Sequence, residues 1–143
     1  MLDYHRDMAI APSFDIEAAR AFLREKGERR ARGLADRRAR AEADFAKIVE
    51  HIGRVYSPKR ILQWGSLLPG GDVSEVSDID IGLEGLEDAA QYFAILGDAM
   101  KMTDFPLDIV EVDKLNEAAA AHIRRTGRVV YERDNPDPPR DSH

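Results

Sequence analysis

The sequence predicts an α/β (α+β) chain: a small mixed sheet of three to five strands with helices on one side, preceded by a long N-terminal helical segment. Three observations lead there. Residues 13–56 contain no Pro and are rich in Ala, Arg, Glu and Leu, which are strong helix formers. Later stretches are short, apolar and bounded by Gly, Pro or Asp, as strands are. Helical periodicity separates the last of these stretches from one another.

In chain order, Ser13 is placed to cap the first helix. Phe22 and Leu23 near one end, and Phe45, Ile48, Val49, Ile52 and Val55 near the other, give it apolar faces at helical spacing. Between them Leu34 is the large apolar residue, and Gly27 and Gly33 each cost about 1 kcal/mol relative to Ala, so a bend or break is expected there. Unbroken, such a helix would reach ~60 Å at 1.5 Å per residue, longer than a domain of this size is wide, and would need a partner. Ser57-Pro58 favours a turn, and Arg60-Ile-Leu-Gln-Trp64 reads as a strand running into Gly65-Ser66. The following LLPGGDVSEVS is a loop that ends in Asp78-Ile-Asp-Ile81, whose strict alternation predicts a second strand. Residues 88–103 form a helix with Phe93, Leu96 and Met100 on one face, stopped by Pro106. Residues 107–112 are a third strand. Asp113 is placed to cap a helix through Arg125, with Gly127 at its C-terminal end. Residues 128–131 are a last short strand. The expected division is a helical segment over 1–57, a core over 58–132, and a polar, Pro-rich tail over 133–143 that is expected to be disordered.

Composition closes several classes. With 143 residues one compact unit is the default, and 43% hydrophobic residues are enough for a modest core. The absence of Cys removes disulfide frameworks, thiolate zinc sites, iron–sulfur clusters and Cys nucleophiles. The opening MLDYHRDMAI lacks the basic start and apolar core of a secretory signal, and no stretch is long enough to span a membrane, so a cytoplasmic protein is expected. The net charge of −6 is unevenly divided: residues 1–63 carry +4 and residues 64–143 carry −10. The acidic half is a poor surface for nucleic acid, whose affinity comes largely from Lys and Arg on phosphates.

The chemistry concentrates in that acidic half. Asp78 and Asp80, two apart in a strand, share a face while Ile79 and Ile81 point into the core. Side by side the carboxylates repel, and a cation offsets that repulsion; Mg²⁺ fits, since it takes oxygen ligands and is usually held by one or two carboxylates plus substrate phosphates. Gly65 and Ser66, just after a strand, can bring backbone N–H groups and a hydroxyl to a phosphate. Asp108, alternating with Leu107 and Ile109, joins the first two carboxylates if its strand pairs beside theirs, and three carboxylates can hold two metals.

These residues, GSLLPGGDVSEVSDIDI followed by LDIV and a closing Ile-x-x-x-Gly-x-Val-Val-Tyr over 123–131, resemble the DNA polymerase beta-like nucleotidyltransferase superfamily, specifically its minimal nucleotidyltransferases of prokaryotes. The resemblance covers roughly residues 59–132. It implies a polymerase-beta-like core in which Asp78 and Asp80 ligate Mg²⁺ on ATP, Gly65 and Ser66 hold the phosphates, and Asp108 completes a second metal site and helps activate an acceptor hydroxyl. The reaction it implies is transfer of a nucleoside monophosphate, AMP from ATP foremost, with release of pyrophosphate. Two departures stand out. The spacer between Ser66 and Asp78 is eleven residues, one longer than is common in that group, and Leu67-Leu68-Pro69 fills a stretch that often carries Arg or another polar residue.

Many members of the minimal group resemble antitoxins that attach AMP to a helical HEPN-type ribonuclease, so a partner of that kind is the leading expectation. The alternatives are a catalytically silent binding module and a nucleotidyltransferase acting on a small molecule such as an aminoglycoside, which usually needs an additional domain. The run over 20–40, nine basic residues against three acidic, reads as a solvated helix with pairs such as Glu25–Arg29, or as a docking arm for a second copy of the chain or for an acidic or nucleic-acid partner. Trp64 is expected as core or pocket wall. His5, His51, His122 and His143 are scattered without ligand spacing and are expected at the surface or in helix packing. Glu84, Glu87 and Asp88 are expected as a solvated turn, and Glu111 as a strand-face charge.

Overall fold

A computed structural model describes residues 15–71 and 78–134. Ser13, His5, His143 and residues 135–143 of the tail lie outside the described residues. The order is α1 (Ile16–Tyr56), β1 (Arg60–Trp64), a 3₁₀ turn (Gly65–Leu67), β2 (Ile79–Glu84), α2 (Ala89–Met100), β3 (Leu107–Glu111), a second 3₁₀ turn (Val112–Lys114), α3 (Glu117–Thr126) and β4 (Arg128–Glu132). The fold is therefore mixed α+β, with a long N-terminal helix and a four-stranded sheet. Among the described residues no helix is long and apolar enough to cross a membrane.

Two compact units divide the chain at Asp36/Arg37. In the first, the helix is solvated: Ile16, Phe22 and Leu23 are exposed, and Glu25 pairs with Arg29 at 3.6 Å. The expected break is absent: α1 runs through Gly27 and Gly33 as one continuous helix. Isolated glycines weaken a helix by about 1 kcal/mol each, which the surrounding Ala, Arg, Glu and Leu residues offset.

The second unit, residues 37–143, holds the sheet. Its strand order is β3-β2-β1-β4, with β1 antiparallel to both β2 and β4 and β2 parallel to β3. A parallel neighbour needs a crossover, and α2 supplies it. Ile61, Ile79, Ile81, Leu83 and Ile109 enter the main core with Phe45, Ile48 and Ile52 of α1 and Ile95 and Ala99 of α2. Leu62, one residue from Ile61, points the other way and packs with Val112, Ala120 and Ile123. The expectation of helices on one side is thus corrected: α1 and α2 cover one face, and α3 covers part of the other.

Local details differ from expectation for identifiable reasons. In α2 the buried residues are Ile95 and Ala99, with Tyr92 and Leu96 partly buried against the core; Phe93 and Met100 remain 66% and 64% exposed. Asp88 caps that helix by accepting the Gln91 N–H at 2.9 Å. The helix stops at Met100, before Thr103, whose hydroxyl donates to Asp44 and accepts the Phe105 N–H. Asn116, not Asp113, caps α3, accepting the Ala119 N–H at 2.8 Å. Asp113 is occupied otherwise: it accepts the Gly85 N–H at 2.7 Å and pairs with Arg124. Gly127 closes α3 as expected, donating to the Ile123 carbonyl.

Candidate functional site

The site is built on the register of three strands. Trp64 lies directly opposite Asp80, and Asp80 opposite Asp108. Directly paired residues share a face, so the three form a row across the sheet, on the same face as Leu62 and α3. Asp78 precedes β2 by one residue and returns to that face two residues before Asp80. One carboxylate oxygen from each of Asp78, Asp80 and Asp108 lies within 4.8 Å of the others.

The turn after β1 reaches the same place. Gly65 has φ +84°, and a Cβ built on it would stand 1.9 Å from Asp80 Oδ2. Only a residue without a side chain fits there, in a conformation that L-residues rarely adopt. The Ser66 backbone N–H donates to the Asp80 carboxylate. All five residues singled out from the sequence, Gly65, Ser66, Asp78, Asp80 and Asp108, therefore converge.

The electrostatics are uncompensated. Burial, then the Asp108 and Asp78 charges, push Asp80 from its ordinary 3.8 up to about 7, against the Ser66 N–H that pulls it down. Three carboxylates gathered so closely, with Asp80 among them hard to ionise, are the donor set of a hard divalent cation, which would remove the repulsion. The triad can hold a metal ion.

Other charged groups are placed elsewhere. Glu84, expected in a solvated turn, is 2% exposed and salt-bridged to Arg60 at 2.6 Å and to Arg124. It joins α3 to the sheet. His51 Nε2 lies 2.8 Å from Asp98 Oδ2, which also accepts the Tyr56 hydroxyl at 2.7 Å. These bonds hold Asp98 below its ordinary range, and the cluster ties α1 to α2. His122 is exposed on α3. A cleft of about 660 Å³ between α1 and β4 is lined by Phe45, Val49, Gln63 and Val130. Gln63 alternates with Trp64, so this cleft and the triad lie on opposite faces.

One contributor escaped the sequence reading. Arg38 of α1 donates to the carbonyls of Ser66, Leu67, Leu68 and Gly71. Nothing local marks it within the basic run, since it is 28 residues from Ser66. Compared with known proteins, the chain matches no family model and no curated protein.

Proposed function

We propose that the protein is a Mg²⁺-dependent nucleotidyltransferase that moves AMP from ATP to an acceptor hydroxyl, on a helical partner protein of the HEPN toxin type. The observation that carries this reading is the meeting of the Gly65-Ser66 turn with the three carboxylates on one sheet face. A phosphate grip beside an acidic metal site is what an enzyme acting on a nucleoside triphosphate requires.

In this reading Asp78, Asp80 and Asp108 hold Mg²⁺, and Gly65 and Ser66 orient the phosphates. Bound Mg²⁺ stabilises charge on the attacking and leaving oxygens of an in-line displacement. The acceptor oxygen forms a bond to the α-phosphorus, the α–β phosphoanhydride bond breaks, and pyrophosphate leaves. Asp108 takes the proton of the acceptor hydroxyl.

The test is incubation with Mg²⁺ and ATP labelled on either the α- or the γ-phosphate, together with the proteins of the source cell. Label from the α-phosphate on a helical partner, lost with Asp80→Asn, is expected. No transfer from either position, with partner neutralisation unchanged in Asp80→Asn, would instead make the chain a silent binding module.

A further inference from the structure

Arg38 spends both of its terminal Nη groups on one small target. Its Nη1 donates to the carbonyls of Ser66 (3.3 Å) and Gly71 (3.0 Å), its Nη2 to those of Leu67 (3.2 Å) and Leu68 (2.9 Å), and its Nε to Glu42 (2.9 Å). Carbonyl oxygens converging in this way repel one another unless a cation sits among them. The curl is tight: the Gly71 N–H closes it onto the Leu68 carbonyl at 2.8 Å, and a Cβ on Gly71 would stand 2.6 Å from the Ser66 oxygen. The segment so gathered begins with the Gly65-Ser66 turn that meets Asp80.

We infer that Arg38 is a positioning residue for nucleotide binding: its guanidinium gathers the carbonyls of residues 66–71 and thereby holds the Gly65-Ser66 turn in its phosphate-binding shape. The inference rests on the nucleotidyltransferase reading. Arg38 acts through the loop and not on the phosphates, because its donors are already engaged. A planar fork with fixed donor directions serves several carbonyls at once, whereas a Lys ammonium is a compact point charge. The Leu67-Leu68-Pro69 stretch carries no cation of its own, so the charge that organises this loop comes from α1.

The experiment compares wild type, Arg38→Gln, Arg38→Lys, Arg38→Ala and, as a control for the Glu42 contact, Glu42→Gln. Mn²⁺ affinity is measured alone by electron paramagnetic resonance, Mg·ATP affinity by calorimetry, and amide exchange at Leu68 and Gly71 by NMR. Arg38→Gln is expected to weaken Mg·ATP about tenfold, equivalent to about 1.4 kcal/mol, with Mn²⁺ affinity retained and both amides exchanging faster. Arg38→Lys should lie between, Glu42→Gln near wild type, and sub-denaturing guanidinium should restore part of the affinity of Arg38→Ala. Unchanged Mg·ATP affinity in Arg38→Gln, or a parallel loss of Mn²⁺ affinity, overturns the inference alone. A wild type that binds Mn²⁺ but no Mg·ATP overturns the nucleotidyltransferase reading, and the inference with it.

Discussion

Gly65 and Asp80 occupy each other's space so closely that a single methyl group on the glycine would stand 1.9 Å from a carboxylate oxygen of the aspartate. The residues are fifteen apart in sequence, and the antiparallel pairing of β1 with β2 brings them together. The backbone turn and the acidic strand thus form one site, and a change at either residue alters both.

Gly65→Ala tests this contact. A positive-φ conformation in a residue with a side chain costs on the order of 1–3 kcal/mol, and the collision with Asp80 adds to it. The variant should unfold at lower urea concentration and bind divalent metal more weakly. Wild-type metal affinity in Gly65→Ala would show that the turn and the triad are independent.

The pH dependence of the metal-free protein follows from Asp80. Its native value is raised from 3.8 to about 7, so between these values the native state holds a proton that the unfolded chain has lost. The associated stability is fully present below about pH 4, and it declines as pH rises through about 7. In chelator, Asp80→Asn should therefore be more stable than wild type at pH 8, with the gap closing toward pH 4. Divalent metal should reverse the order at pH 8. Melting temperatures of both proteins across this range check it; parallel curves would count against an uncompensated triad.

Much of the fold was legible locally. The limits of β1 match the reading of 60–64, and the alternation through Asp78-Ile-Asp-Ile81 correctly placed Ile79 and Ile81 in the core. What was not legible depends on residues far apart in the chain. Glu84 reads as a turn residue until Arg124, forty positions on, closes over it. Phe93 and Met100 read as a buried stripe, but the sheet and α1 select the neighbouring stripe of Ile95 and Ala99. The meeting of Asp80 with Asp108 was conditional on a strand pairing, and β2 and β3 do pair in that register. Arg38 carried no signal, because its partners are backbone carbonyls and any residue has those.

The Glu84 network makes a stability prediction separate from the site. Glu84→Gln neutralises the buried carboxylate that Arg60 and Arg124 share, one oxygen each, and turns an NH2 donor toward one of the two guanidinium groups. Both arginines are partly exposed and can rehydrate, so the cost should be about 1–3 kcal/mol, short of the penalty for stranding a buried charge. Urea unfolding measures it. Metal affinity should be unchanged, since the network lies apart from the triad; a loss in Glu84→Gln would place Glu84 in the site.

The proposed function requires the carboxylate row and the Gly65-Ser66 turn to bind a nucleoside triphosphate through a divalent metal. The most direct test is the thermal stability of wild type and Asp80→Asn with ATP, GTP, CTP or UTP, each with and without Mg²⁺. Ligand at 100 times its Kd stabilises by about 2.7 kcal/mol, a rise of several degrees. Such a rise is expected for wild type with ATP and Mg²⁺ together, and none for Asp80→Asn. A rise that needs no Mg²⁺, or one retained in Asp80→Asn, would rule out nucleotide binding through a metal held by the triad.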